Sequence, residues 1–139
     1  MAMLSVGMSE TLSAADKTAT LTIRGVAYHL TIVDTDASRA LGLSGRKSLA
    51  KDDGMFFVFP RKEIQNFWMK DMYFPIDIIF MDDHKIVSIF NSVPPPRAGE
   101  TLSELPIYTS TAPANAVLEV NAGEAKKHRF SVGDEVSVR

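Results

Sequence analysis

The chain has 139 residues, the length of one ordinary domain, with no room for a second. Hydrophobic residues make up 45% of it and charged residues 23%, which is typical of a globular protein with one core. The net charge of −2 disfavours nucleic acid as the main partner, because such binding depends on neutralising phosphates. The absence of cysteine excludes disulfides, thiolate zinc sites, iron–sulfur clusters and a cysteine nucleophile.

Residues 1–17 are predicted to form a flexible tether, and residues 18–139 a single domain. Residues 9–16 are small and polar, and nothing in residues 1–16 offers periodic apolar contacts that could offset the entropy of ordering. The start lacks the regions of a signal peptide, and no apolar run approaches the roughly 20 residues of a transmembrane helix. Two compartments stay open: cytoplasmic as the chain stands, or exported if a leader has been removed.

Residues 18–33 are expected to form a β-hairpin. Apolar residues alternate with polar or small ones in both halves, and Arg24-Gly25 between them is suited to a two-residue turn. The polar residues 34–36 then offer capping oxygens to a short helix over residues 37–41, which Gly42 ends.

The middle of the chain is expected to supply the central sheet. Nine of the twelve aromatic residues lie between Phe56 and Phe90, and strands are predicted over residues 54–59, 64–70, 76–81 and 85–93. Closely spaced strands of this composition favour an antiparallel sandwich or small barrel.

After three prolines the periodic pattern stops, and residues 94–115 are predicted to form a long loop. A strand over 116–120, a helix over 122–128 capped by Asn121 with Glu124 as its capping-box partner, and a last strand within 132–138 follow. The predicted fold is therefore mainly β (β-rich α+β): a single compact antiparallel barrel-like or sandwich domain with two short helices.

No motif identifies a catalytic or metal centre. The three histidines do not have metal-ligand spacing, and neither a phosphate-binding loop nor a nucleophile elbow is present. We therefore predict no metal site and no cofactor, and assign no catalytic residue.

Two carboxylates within apolar strands are the main candidates for a site. Asp77 and Glu119 are each flanked by aliphatic residues. One interpretation puts both on the solvated face of their strands. The other pairs one or both with Arg46 or Lys70, because an unpaired charge in an apolar strand costs several kcal/mol. Such a pair could be architectural or catalytic.

Alternation along residues 64–70 puts Trp68 and Lys70 on one face of that strand, with Phe67 and Met69 on the other. A tryptophan beside a lysine can stack on a sugar ring or a base, although packing at the rim of a core is its more common role. We predict that any ligand site combines this face with the loop 94–115, because rigid scaffolds often carry function on long loops.

Several ordered blocks between about Leu21 and Val138 resemble the DUF192 family, an uncharacterised conserved family. The resemblance implies a compact, mostly β domain with short helices, often found in bacterial and archaeal proteins that bear an export signal. It implies no activity, so no catalytic residue is carried over. The matching blocks are Gly42-Leu43-Ser44-Gly45-Arg46-Lys47-Ser48-Leu49, Gly54-Met55-Phe56-Phe57-Val58-Phe59-Pro60, Phe67-Trp68-Met69-Lys70-Asp71-Met72, Pro75-Ile76-Asp77-Ile78-Ile79-Phe80, Val117-Leu118-Glu119-Val120-Asn121-Ala122-Gly123 and Val132-Gly133-Asp134.

The leading hypothesis is a non-enzymatic binding or accessory module for a small molecule or a protein, associated with the cell envelope. The alternative is a small hydrolase that uses Asp77 and Glu119 as paired carboxylates, with Arg46 or Lys70 as electrostatic support. Both carboxylates in one cleft with a raised pKa would favour the enzyme, and carboxylates on separate faces would favour the module. The candidate ligand-binding or charged cluster thus comprises Arg46, Trp68, Lys70, Asp77 and Glu119.

Overall fold

The computed structural model describes residues 17–139, so the predicted tether lies outside the described residues except for Lys17, which begins the first strand. The two α-helices are α1 (Asp36–Leu41) and α2 (Glu124–His128), and one turn of 3-10 helix covers Leu102–Glu104. The strands are β1 (Lys17–Ile23), β2 (Val26–Val33), β3 (Asp53–Glu63), β4 (Asn66–Phe67), β5 (Ile76–Asp82), β6 (Lys85–Val93), β7 (Tyr108–Thr109), β8 (Ala114–Asn121) and β9 (Val136–Val138).

Seven strands form one curled sheet in the order β6-β5-β8-β3-β2-β1-β9, and β4 pairs with β7 in a separate ribbon. The curl brings the two edges of the large sheet together at one end. There the backbone N–H of Val136 donates to the carbonyl of His84 at 2.7 Å, and that of Gly133 to Ile86 at 2.8 Å. The result is a half-barrel with 47% strand, which confirms the predicted mainly β fold with two short helices.

One strand pair departs from the predicted antiparallel arrangement. β2 and β3 are parallel, whereas the other pairs of the large sheet are antiparallel. A parallel neighbour needs a crossover connection, and residues 34–52 supply it with α1. This helix starts where expected, because the Thr35 hydroxyl accepts from the backbone N–H of Ser38 at 3.0 Å.

The large sheet is covered by apolar side chains on both faces, because alternate residues of each strand point in opposite directions. The inner core lies within the curl and joins both edges of the sheet, from Ile86 of β6 to Val136 of β9. The outer core lies on the other face, beneath the β4–β7 ribbon and the turn over residues 69–72. Its buried members are Val33, Leu43, Met55, Phe57, Met69, Met72, Ile76, Ile78, Phe80, Val93, Ala114 and Val117.

Two predicted segments are wrong in detail. The expected strand over residues 64–70 is a strand only at Asn66–Phe67, and the chain then turns, with the Met72 N–H donating to the Met69 carbonyl at 3.1 Å. The expected loop 94–115 carries the 3-10 turn and β7, and Tyr108 packs edge-on against Phe90 with ring centroids 5.5 Å apart.

The C-terminal helix also differs from its prediction. α2 begins at Glu124, and its N-cap is Gly123 in a left-handed conformation (φ 96°), without a side-chain capping bond. The predicted cap, Asn121, instead donates its side-chain amide to the carbonyl of Leu49 at 2.8 Å. None of the helices in the described part of the chain is long and apolar enough to cross a membrane.

Candidate functional site

A pocket of about 320 Å³ opens on the outer face of the sheet, next to α1. One wall is α1 with the following residues 42–44, and the other is the segment of residues 66–70. The aromatic side chains of Phe57 and Phe59 from β3 line it, and Glu119 of β8 lies at its floor, where the sheet closes the pocket. Its volume lies at the small end of the range for ligand sites.

The α1 wall is held in place by Arg39. Its guanidinium donates to the carbonyl of Val58 at 2.8 Å, pairs with Asp36 at 2.7 Å, and lies 5.1 Å from the centroid of the Phe59 ring. These contacts occupy the guanidinium, so Arg39 serves mainly to fix the helix against β3.

The end of α1 can approach the sheet because residue 42 is a glycine. Gly42 has a φ of +50°, and a Cβ at this position would lie 3.3 Å from the ring of Phe57. A larger residue would be strained and would push into the aromatic wall.

Four phenylalanines pack edge to face beside the pocket. The ring of Phe67 lies 5.0 Å from Phe57, 6.2 Å from Phe59 and 5.6 Å from Phe80, with interplanar angles of 73° to 89°. Edge-to-face packing of this kind holds the rings in defined orientations. The pocket therefore has a preformed aromatic wall.

Trp68 and Lys70 form the rim of the pocket. The Lys70 ammonium lies 5.9 Å from the centroid of the Trp68 ring, whose side chain is 43% exposed. The Ser44 hydroxyl donates to the backbone carbonyl of Lys70 at 3.0 Å and ties this segment to the end of α1. The predicted pair is thus adjacent, although the segment is a turn and not a strand.

Glu119 is a buried carboxyl in an apolar setting. Its direct neighbours across the sheet are Met55 of β3 and Ile78 of β5, both buried, and Glu119 itself is only 5% exposed. Burial alone raises the pKa of Glu119 to about 8. Within the described residues, its carboxyl has neither a hydrogen-bond nor an ion-pair partner. Its oxygens are not fully buried and reach solvent through the pocket that Glu119 lines.

Asp77 is also buried, but its carboxylate is fully used within the fold. It accepts backbone N–H groups from Ser92 at 2.8 Å, Gly123 at 3.2 Å and Ala125 at 2.8 Å. The last two lie at the start of α2, so Asp77 joins this helix to β5 and β6. Its role is structural.

The two carboxylates do not share a site. Asp77 lies opposite Val120 in the β5–β8 pair, and Ile78 lies opposite Glu119. Directly paired residues point to the same face, so Asp77 and Glu119 point to opposite faces of the sheet. The interpretation that both lie on solvated faces is wrong, since Asp77 is fully buried and Glu119 nearly so.

Arg46 lies in the exposed turn after α1 and is not part of the pocket lining. No residue of 94–115 lines the pocket either; its second wall is α1. Sequence reasoning missed this wall because a six-residue helix without a buried residue carries no apolar pattern that points to a site.

Across residues 17–139, no group of three or more histidines and carboxylates is placed to hold a metal ion.

The fold and this site define a single-domain β half-barrel with a preformed pocket on the outer face of its sheet. The chain belongs to the DUF192 family, described as "Uncharacterized ACR", whose model matches residues 19–138. The comparison with curated proteins gave no significant match.

Two solved structures share the fold. A protein of Sinorhizobium meliloti 1021, described as a "putative transcription regulator", is 27% identical with a TM-score of 0.79, over 90% of this chain and 96% of that one. A protein of unknown function from Novosphingobium aromaticivorans DSM 12444 is 28% identical with a TM-score of 0.75, over 88% of this chain and 84% of that one. These likenesses support the fold and assign no activity.

Proposed function

We propose that the chain is a small-ligand binding module whose site is the pocket between α1 and residues 66–70. The observation that carries the proposal is Glu119, a buried carboxyl without a described partner at the floor of a preformed apolar pocket. A carboxyl in an apolar setting loses part of its solvation on folding, and a ligand that pairs with it through the pocket recovers part of that cost.

The shape and chemistry of the pocket support a small organic molecule. Mostly apolar walls with a few polar groups are typical of such sites. Here the polar groups include the carboxyl of Glu119 at the floor, the side-chain amide of Asn66 and the ammonium of Lys70 at the rim, with the Trp68 ring available for stacking.

A hydrolase with paired carboxylates is less well supported. Glycoside hydrolysis requires two carboxyl groups on either side of one scissile bond, and Asp77 points away from the face that carries Glu119. The carboxylate of Asp77 is also engaged with three backbone N–H groups. The binding module is therefore the function that we propose.

The experiment is a screen of small apolar and aromatic fragments by ligand-observed NMR, with chemical shifts of the labelled protein to locate each hit. Ala40 lines the pocket on α1, and Ala37 lies exposed on the same helix outside the lining. Ala40→Phe should weaken hits at least tenfold by filling the pocket, whereas Ala37→Phe should leave them unchanged. Hits that shift only resonances away from Glu119 and residues 36–44 and 57–72, or that survive Ala40→Phe, would contradict the proposal.

A further inference from the structure

The side-chain donors that line the pocket belong to its walls and rim (Arg39, Ser44, Asn66 and Lys70), and the sheet around Glu119 adds none. β8 is a central strand that pairs with β3 on one side and β5 on the other, so its backbone groups around Glu119 are used in the sheet. The neighbouring side chains, Met55 and Ile78, carry no strong donor. An anion at this depth would therefore meet a carboxyl group and no compensating N–H.

The basic groups of the pocket lie away from the floor. The guanidinium of Arg39 is held by Asp36 and Val58, and the ammonium of Lys70 lies over Trp68 at the rim. The raised pKa of the Glu119 carboxyl arises from burial, with no contribution from a nearby charge. Neither Arg39 nor Lys70 therefore compensates the charge of this carboxyl. Among residues 17–139 no cation pairs with Glu119, so an ammonium group on a ligand would be its positive partner.

We propose that the pocket binds a small organic amine, whose ammonium group pairs with the carboxylate of Glu119 while its apolar body lies along the aromatic wall. This inference rests on the proposed binding function and names the chemical class of the ligand. The rings of Phe57 and Phe67 add to it, because an ammonium group near aromatic side chains gains a further electrostatic attraction. A neutral ligand could satisfy the carboxyl with one hydrogen bond, but only a cation can compensate its charge.

Binding of an amine must release a proton near neutral pH. Because the pKa of Glu119 is raised to about 8, about 0.9 of this group is protonated at pH 7 in the free protein. An ammonium ligand binds the ionised form, so its affinity should rise nearly tenfold per pH unit from pH 6 to 7 and level off above 8. The other charged groups of the lining are Asp36 and Arg39, which pair with each other, and Lys70. None of the described residues that line the pocket is a histidine, and β3 contributes only the apolar side chains of Phe57 and Phe59 there.

The test compares 2-phenylethylamine with 2-phenylethanol, two probes with the same aromatic body and chain length. Isothermal titration calorimetry at pH 6, 7 and 8, in phosphate and in MOPS, gives both the Kd and the number of protons released. We expect the amine to bind more tightly than the alcohol at pH 8, with about 0.9 proton released at pH 7. Glu119→Gln should remove the preference for the amine and the proton release while retaining the alcohol. Glu135→Gln, at an exposed carboxylate outside the pocket, should behave as the wild type.

The outcomes of this test distinguish a failure of the amine proposal from a failure of the proposed binding function. The proposal that the ligand is an amine would be overturned if the alcohol bound as tightly as the amine, or if the amine bound without releasing a proton. Either result would leave the proposed binding function in place. If neither probe binds, the proposal of an amine ligand is also overturned. The fragment screen then decides independently whether the pocket is a binding site. If Glu119→Gln does not fold, the proton count and the comparison of the two probes in the wild type decide alone.

Discussion

Replacing Glu119 by glutamine should change how the stability of the protein depends on pH. The pKa of this carboxyl is about 8 in the folded protein, against an ordinary value of 4.5 in the unfolded chain. Below pH 4.5 both states hold the proton, and the group does not disfavour folding. Between the two pKa values only the unfolded chain loses the proton, so folding becomes less favourable by about 1.4 kcal/mol per pH unit. From pH 5 to pH 7 this amounts to about 3 kcal/mol, and the effect stops growing above pH 8.

Urea unfolding of the wild type and of Glu119→Gln at pH 5, 6, 7 and 8 measures this effect. Glutamine does not titrate, and all other groups are shared, so their contributions cancel in the difference between the two proteins. We expect the unfolding free energy of the variant to rise relative to the wild type by about 3 kcal/mol from pH 5 to pH 7. Glu135→Gln, the exposed control, should show no such trend. A Glu119→Gln difference that stays constant across this range would refute the argument that the carboxyl is desolvated.

Three further substitutions test the fold around the site, each by urea unfolding at pH 7. Asp77→Asn should cost about 3 kcal/mol, because an amide cannot accept three backbone N–H groups with the strength of a carboxylate, and a loss under about 1 kcal/mol would contradict its role. Phe80→Ala should cost about 3–5 kcal/mol, since this fully buried ring packs between Phe67 and Phe90, and a small loss would place it outside the core. Tyr28→Phe should cost about 1–3 kcal/mol by removing the 2.7 Å hydrogen bond to buried Glu124, and an unchanged stability would show that this bond contributes nothing.

The hairpins could be predicted from the sequence because their signals are local. Apolar alternation on both sides of Arg24-Gly25 specifies the register in which Ile23 lies opposite Val26. The turn at residues 83–84 similarly joins β5 to β6 with Asp82 opposite Lys85. In both cases a few neighbouring residues contain all the information that the pairing requires.

The segment of residues 64–70 shows where periodicity misleads. Met69 is buried while Trp68 and Lys70 are exposed, which is the alternation of a strand. The same pattern arises here because a turn lies across the outer core and lowers every second side chain into it. Only the pairing partners show which residues of this segment form a strand, and the partners of Asn66 and Phe67 are Thr109 and Tyr108 in β7, far along the chain.

The relative directions of Asp77 and Glu119 could not be read from the sequence. Alternation shows which residues of a strand share a face. It shows which of the two faces is solvated only when one face carries mostly polar residues. β5 is buried on both faces from Ile76 to Met81, so it offers no such reference. Only the register between β5 and β8 shows that the two carboxylates point to opposite sides of the sheet.

The position of Glu119 supports the proposed binding function, because this carboxyl does not stabilise the fold. A carboxyl between Met55 and Ile78 opposes folding at neutral pH, whereas a methionine there would fill similar space without a proton equilibrium. Stability alone would therefore favour an apolar residue at this position, and Glu119→Met should stabilise the free protein at pH 7. The same substitution should abolish binding of an amine. Residues that oppose stability while they improve a site are expected where function places a polar group in an apolar pocket. That expectation distinguishes Glu119 from Asp77, whose buried carboxylate stabilises the fold through three backbone N–H groups.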